Sequence, residues 1–427
     1  MPERRLIRAR WIFPTGALPI ADGLLEIEDG IVAGISASGG KGKAGGATSD
    51  LGNVAIIPGL VNVHTHLEFS HLPAPIAAGG TFARWIADVI AERAGRPGSV
   101  EHSRQMGLIE SRSAGIAALG EIATSAWKSS DIPTFGPPIV LFREVLGLGP
   151  ESVPQRIADL ESHLAERSGD PARIRRGLSP HAPYSVHPDL FEGTLSLARR
   201  HDTPVAMHLA ETAEERQLLW DGTGPLVDLF TRMGIWRPGV LPVRTRPIDY
   251  LRRLADLPEA LVIHGNDLDD EEVRFIADHP RMAVVYCPQT HRHFRRPRHP
   301  LPKLLEAGGR VALGTDSRAS SPSLSLWDDV LLVRRAFPEI PPPVVLDLAT
   351  VRGAEVLGLD GVGRLQPGSP ASLTLVSLPD GLAASDPWGA LFADGTRSRP
   401  FEPDEMCEPW LAGGTNRIDD VGPRATG

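Results

Sequence analysis

The sequence predicts an α/β fold: a closed (β/α)8 TIM-type barrel with a small β-sandwich domain formed by both chain ends. Three observations predict it. Eight short apolar runs alternate with helical stretches, and such alternation gives a parallel sheet because each crossover needs the intervening residues. Five of those runs end in His or Asp, and the reactive residues of such a barrel sit at the C-terminal ends of its strands. A barrel of about 250 residues fits between roughly Pro58 and Gly358, and neither flank has enough apolar area to stand alone. The expected division is therefore 1–57 and 359–427 as the two parts of one small β domain plus a tail, around a barrel at 58–358.

Each element follows in order. Residues 24–28 and 31–35 are short strand patterns on either side of Gly30, while the Gly-rich tract 39–46 has no apolar periodicity and reads as a flexible loop. Ile57 to His66 is the first barrel strand. Residues 81–93 carry Phe82, Trp85, Ile86, Val89 and Ile90 at helical spacing, and the plainest reading of that stripe is a packing face. Further helices are expected over 101–113, 152–167 and from 213 to 220. The next strands are the runs ending at Thr124, Val145, His181, His208, His264, Cys287 and Asp316. Residues 221–246 are rich in Gly, Pro and Arg and exceed a normal barrel connection, so they form a short subdomain or a substrate lid. Residues 371–376 read as a strand, and the stretch after Pro400 as a strap or frayed end.

Composition narrows the function. The 44 basic and 53 acidic residues leave a formal net charge of −9, which argues against sequence-independent phosphate binding and so against nucleic acid. Two cysteines, Cys287 and Cys407, make neither a Cys-rich zinc site nor a disulfide framework. No apolar stretch is long enough to span a membrane, and the basic N-terminus lacks a signal-type apolar region. The expectation is a cytoplasmic protein with a small-molecule substrate and no nucleic-acid or membrane partner; a homo-oligomer is compatible with the sequence.

The chemistry sits at the strand ends. His64 and His66 close the first strand two residues apart, a spacing that points both imidazoles to one side. Neutral imidazole is a common metal ligand. His208, His264 and Asp316 close three later strands, so further ligands or partners arrive at the same rim. Scattered core or surface histidines would not gather at successive strand ends.

These residues resemble the amidohydrolase superfamily, in its deaminase and chlorohydrolase branch. The matching words are Pro58 to Leu67, Ser179 to Ser185, His208 to Thr212, His264-Gly265, Cys287-Pro288 and Gly314 to Ser317. The resemblance implies that His64, His66, His208 and Asp316 bind one divalent metal, that Glu211 and His264 are catalytic, and that His181 contacts substrate. Within that branch the chain is most similar to the aminofutalosine deaminase-like subgroup of menaquinone synthesis, through His66 to Ser70, Phe82 to Ile86, Phe142 to Gly147 and Asp221 to Pro225. It departs from the pattern at Thr290 to Phe294, where His291 and His293 replace other residues, and at Ala371 to Leu373, which lacks the usual acidic residue.

Three His and one Asp leave a position for water, whose pKa the metal lowers. Hydroxide formed there attacks an amidine carbon and ammonia leaves. His264 can polarise that water, Asp316 can ligate and take its proton, and Glu211 can protonate a ring nitrogen. No lysine lies between Val140 and Ala182; a bridging carbamylated Lys marks the binuclear branches, so one metal is expected. Zinc is the first expectation, with Fe, Mn or Co also suited to His and carboxylate. Glu68 and Glu144 are further candidate substrate contacts. Arg143, or the basic loop Arg292, Arg295, Arg296 and Arg298, is a candidate cationic lip for an anionic substrate group.

The leading expectation is a metal-dependent deaminase of an N-heterocyclic amine, an adenosine derivative such as 6-amino-6-deoxyfutalosine. The alternatives are a deaminase of the methylthioadenosine/S-adenosylhomocysteine type, a chlorohydrolase or cyclic amide hydrolase on the same site, and a catalytically inert binding protein.

Overall fold

The computed structural model describes residues 4–37, 48–96, 98–127, 136–166, 173–381 and 385–401. The Gly-rich tract 39–46, the tail from 402 and Cys407 lie outside them.

Two sheets organise the chain. The first has seven strands: β1 (Arg4–Ile12), β2 (Ile20–Glu28), β3 (Ile31–Ala37), β4 (Thr48–Asp50), β5 (Val54–Pro58), β14 (Leu373–Ser377) and β15 (Arg397–Pro400). Its order is β15-β14-β5-β1-β2-β3, with β4 also on β1. Both chain ends therefore build one continuous hydrogen-bonded sheet. Ile7, Leu25, Val32, Ile56, Leu373 and Leu375 form its own apolar cluster, while Trp11, Phe13, Ala55, Ile57 and Val376 join the main core.

The second sheet runs β6 (Leu60–Thr65), β7 (Ile116–Ala123), β8 (Ile139–Val145), β9 (Ile174–Pro180), β10 (Val205–Leu209), β11 (Ala260–His264), β12 (Met282–Tyr286) and β13 (Arg310–Leu313). All seven neighbouring pairs are parallel. A parallel bridge between Thr65 and Asp316 brings the last strand's end back to the first, and the eight strands with their helices make a TIM-type barrel. The run from Ile57 to His66, expected as one strand, is divided: β5 pairs in the small sheet and β6 in the barrel. The change falls at Gly59, where a Cβ would stand 2.5 Å from Ala117 Cβ and 2.5 Å from the Ser372 carbonyl oxygen. Only glycine passes between the two sheets there.

The helices between the first and last barrel strands include α1 (Phe82–Gly95), α2 (Val100–Ser113), α3 (Val153–Ala165), α4 (Pro188–His201), α5 (Ala213–Asp221), α6 (Pro225–Arg232), α7 (Pro247–Leu254), α8 (Asp270–Ala277) and α9 (Pro288–His293). The start of α1 is tied down twice. Thr81 Oγ1 accepts from Arg84 N at 3.2 Å, a cap worth about 1 kcal/mol. The Glu214 carboxylate, from α5, accepts from Phe82 N at 2.8 Å and Ala83 N at 3.0 Å, and its charge suits the positive end of the helix dipole. The insertion 221–246 contributes α6, whose Leu226, Leu229 and Phe230 pack in one cluster with Phe82 and Tyr184.

Inside the barrel, Val61, Val63, Val140, Phe142, Ala206 and Ala312 pack with Leu261 and Ile263. That cluster sets the parity of each strand, and so which later residue faces the mouth.

Candidate active site

Simple alternation carries some site residues inward. Ala206 is interior, so His208 is too; Phe142 is interior, so Glu144 is too. The others need a break in the pattern. On β6 the interior residues are Val61 and Val63, of opposite parity to His64 and His66. A register irregularity between Asn62 and Thr65 makes the change. On β11 the interior residues are Leu261 and Ile263, and His264 turns inward through a left-handed backbone, φ 69°. Asp316 (φ 60°) and Ala210 (φ 51°) are left-handed as well. Such non-glycine conformations are uncommon and gather at functional sites.

The result is one compact cluster. His66 Nε2 and His208 Nε2 are 3.3 Å apart. His64 Nε2 is 3.6 Å and His66 Nε2 3.8 Å from Asp316 Oδ1. His264 Nε2 lies 4.0 Å from Asp316 Oδ2 and 3.9 Å from Glu211 Oε1. The His208 tautomer follows from its partner: Nδ1 is 3.1 Å from the His181 carbonyl and donates to it, so Nε2 offers a lone pair. Both His64 nitrogens, and His66 Nδ1, are buried with no hydrogen-bond partner, a costly state for a polar group unless something else is bound there. Burial pushes the His64, His66 and His264 imidazoles well below their usual pKa, which keeps them neutral. Two nitrogens at about 2.0–2.1 Å from a tetrahedral ion stand about 3.3–3.4 Å apart. The donor set fits one divalent cation.

Asp316 is held from three sides. Oδ2 accepts from Thr290 Oγ1 at 3.1 Å and Ser320 Oγ at 2.9 Å; Oδ1 accepts from Ser317 N at 2.8 Å. Burial alone would raise its pKa, but His264, His66, His208 and the Ser320 hydroxyl outweigh it and the carboxyl stays below its ordinary value. Glu211 is the opposite case: burial lifts it to about 8, against the pull of Arg296. Two carboxyls near one histidine thus differ, one ionised and one able to keep a proton at neutral pH, as acid–base work requires. Glu215 fixes the Glu211 backbone by accepting from Ala210 N at 2.9 Å and Glu211 N at 3.0 Å. Glu121 does the same behind the first strand, with Thr65 Oγ1 donating at 2.7 Å and Leu67 N at 3.1 Å.

The cluster opens into a cavity whose remaining wall is largely apolar. His181 and Glu144 line it as well. His181 Nδ1 is 2.6 Å from Ser185 Oγ. Glu144 Oε1 is buried without a partner, and burial raises that carboxyl to about 8. The α1 stripe is a packing face, as expected, and also a cavity wall. Phe82, Trp85 and Ile86 pack with the α6 cluster, and Trp85 and Val89 against Phe69 and Leu72. Phe82, Trp85, Ile86, Val89 and Ile90 all line the cavity with Phe230, Met233 and Ile235 from the insertion.

Three expected substrate contacts stand elsewhere. Arg143 alternates outward from β8, away from interior Phe142 and Glu144. Its NH1 donates to the Ala123 carbonyl at 3.2 Å and its charge acts on Asp159 and Arg156 of α3. Glu68 is consumed by Arg93 at 2.8 Å, Arg96 at 2.9 Å and Thr124 Oγ1 at 2.8 Å. The basic loop does not converge. Arg292, Arg295 and Arg298 are exposed and Arg298 pairs with Glu339; Arg296 alone turns toward the site, lying over the Phe82 and Phe294 rings with its charge felt at Glu211 and His264. His291 and His293 brace their loop: His291 Nδ1 donates to Asn266 Oδ1 at 3.1 Å, and His293 Nε2 donates to the Ile76 carbonyl at 2.9 Å. Sequence reasoning missed Thr290, Ser320, Glu215 and Arg93; Glu215 and Ser320 sit within five residues of Glu211 and Asp316 and could have been sought there, whereas Thr290 and Arg93 act on partners 26 and 25 positions away.

The amidohydrolase family profile matches residues 55–401. A 5-methylthioadenosine/S-adenosylhomocysteine deaminase of Nitratidesulfovibrio vulgaris is 30% identical over 392 residues, covering 87% of this chain and 84% of that protein. An aminodeoxyfutalosine deaminase of Deinococcus radiodurans is 28% identical over 338 residues, covering 73% of this chain and 75% of its own length. The crystal structure of Helicobacter pylori aminofutalosine deaminase with methylthio-coformycin superposes with a TM-score of 0.79 at 21% identity, covering 93% of this chain and 98% of that one.

Proposed function

Because the chain belongs to the amidohydrolase family, a group of hydrolytic enzymes acting on C–N bonds, we propose that it is a metal-dependent deaminase of an adenosine derivative such as 6-amino-6-deoxyfutalosine. The observation that carries this reading is the meeting of His264, Asp316 and Glu211 at one end of a largely apolar cavity. His64, His66, His208 and Asp316 are the residues that would hold one divalent ion, zinc first. Bound there, the ion supplies a Lewis acid that makes water acidic near neutral pH.

The chain's own groups do the rest. His264, between the two carboxyls, orients and polarises the attacking water. Asp316, ionised, accepts its proton. Glu211, protonated, gives its proton to the ring nitrogen beside the carbon under attack. As a carboxylate it then takes the hydroxyl proton of the tetrahedral adduct, while Asp316 passes the proton taken from water to the departing amine. Ammonia leaves and both carboxyls end as they began. His181 and Glu144 offer polar contacts to the nucleoside beside the cluster. The walls of α1 and α6 keep water from the remainder of the substrate.

The test is ammonia release from a panel of adenosine derivatives, compared by kcat/KM, with the product's ultraviolet absorption moving to shorter wavelength. Release from none of them by metal-loaded protein sinks the adenine-type reading. Release from methylthioadenosine or S-adenosylhomocysteine ahead of the futalosine compound transfers the reading to the activity named for the Nitratidesulfovibrio relative.

A further inference from the structure

We infer that His299 is a positioning residue for His264: its Nε2–H holds the His264 carbonyl and so fixes the turn that aims the His264 imidazole at the attacking water. This rests on the deaminase reading and adds a residue to it. His264 needs to be held. Its φ of 69° and the 59° of Gly265 put two successive residues in the left-handed region, a conformation that costs a non-glycine residue free energy and persists only where neighbours enforce it. On one side the end of β10 enforces it: Gly265 N donates to the Leu209 carbonyl at 3.2 Å, and Asp267 N to the Ala210 carbonyl at 2.8 Å. On the other side the ladder with β12 stops at Ile263 and Val285. Beyond that point His299 Nε2 donates to the His264 carbonyl at 2.9 Å.

The setting of His299 leaves it this one bond. It lies just ahead of the helix Leu301–Glu306 and is buried. Its ring stacks on Tyr286, the last residue of β12, with centroids 3.9 Å apart and planes 24° apart, so the direction of Nε2 is set. The carbonyl opposite Nε2 draws the hydrogen to that nitrogen, and Nδ1 is left buried with no partner. Burial lowers the imidazole to about 3, which keeps the ring neutral, with one hydrogen to give, over the working pH range. A phenyl ring would stack on Tyr286 as well and would leave no bare nitrogen. Packing alone therefore does not call for histidine here, because a buried polar atom without a partner is a cost; the bond to His264 does. His264 Nε2 in turn stands 3.9 Å from Glu211 Oε1 and 4.0 Å from Asp316 Oδ2, and a small rotation of its backbone would carry the imidazole away from both.

Two variants separate the bond from the packing. His299→Phe keeps the stack and removes the donor; His299→Gln brings an amide N–H back to the place of Nε2. With the adenosine derivative that wild type uses best, His299→Phe should lower kcat by about tenfold or more, with KM within about threefold and metal content unchanged. His299→Gln should recover most of the lost kcat. A kcat for His299→Phe within about twofold of wild type, or no recovery in His299→Gln, overturns the inference. So does a loss of kcat that tracks a loss of metal, because the residue would then support the whole cluster rather than His264. Nitrogen-15 spectra of the histidine rings read the bond without turnover. The His299 signal, identified by its absence from either variant, should show the Nε2–H tautomer in wild type, with a hydrogen slow to exchange with solvent. The Nδ1–H tautomer, or a freely exchanging hydrogen, overturns the inference even if neither variant is active. The expected tautomer in a metal-loaded protein that releases ammonia from no adenosine derivative would count against the deaminase reading alone.

Discussion

The backbone N–H of Asp316 donates to the carbonyl oxygen of His64 at 3.0 Å. The contact that returns the last barrel strand to the first therefore joins two candidate ligands. Closing the barrel and assembling the cluster are one event. Asn62 reinforces it, donating to Thr315 Oγ1 at 2.8 Å and accepting from Thr315 N at 3.1 Å.

Purified protein should contain about one divalent metal per chain. Elemental analysis measures it. Asp316→Asn keeps the backbone bond and removes the charge, so metal content should fall while the thermal transition stays cooperative. His64→Ala should lose metal too. Two tightly bound ions per chain, or full activity after exhaustive chelation, would sink the single-ion site.

Glu211→Gln should keep metal and lower kcat by roughly 10²–10⁴, the range for a positioned proton donor. The wild-type pH profile should show why. A carboxyl lifted to about 8 by burial holds its proton below that pH and loses it above. The kcat/KM of wild type should therefore decline as pH rises through about 8, and the residual rate of Glu211→Gln should lack that limb. The same limb in the variant would assign it to another group.

Arg143→Gln should change kcat/KM by less than about threefold, since the side chain turns away from the cavity. Trp85→Ala removes part of the cavity wall and should raise KM by about tenfold or more, a loss of apolar contact. The reverse ranking would place the substrate on the outer face of β8 and refute the cavity assignment.

His163 predicts an acid-sensitive stability term. Arg176 NH1 donates to its Nδ1 at 3.2 Å, so Nε2 carries the hydrogen and donates to the Leu141 carbonyl at 3.2 Å. Burial first, then the charge of Arg176, lowers this imidazole from 6.5 to about 3. Between those values the unfolded chain binds more protons than the native one. Stability from this group is present above 6.5 and is lost as pH falls toward about 3. His163→Gln should lose less Tm than wild type between pH 6.5 and 4. An equal loss in both would show that the acid sensitivity lies elsewhere.

Much of this molecule was legible in one dimension. Apolar runs of four to eight residues broken by amphipathic stretches announce a parallel barrel, because strands buried on both faces must be apolar throughout. Placing His64, His66, His208, His264 and Asp316 at strand ends needed only the knowledge that barrel chemistry sits there. What each strand's neighbours demand was not legible. Arg143 and Glu144 are adjacent and both polar, and only the packed interior around Phe142 decides which one faces the cavity. Glu68 looks free in the sequence, yet Arg93 and Arg96 from α1 and its end consume it. The α1 stripe is apolar whether it meets a core or a substrate, so periodicity cannot tell a packing face from a cavity wall.

The sequence by itself determined the fold class, the residue types of the cluster and their order along the chain, since hydrophobic period and strand ends are local properties. The tertiary structure alone decided direction. The irregularity after Asn62 and the left-handed turn at His264 reverse the parity of two strands so that three imidazoles reach one centre. Such reversals are held by contacts between residues far apart in sequence, as when Asp316 N meets the His64 carbonyl, and no local pattern records them.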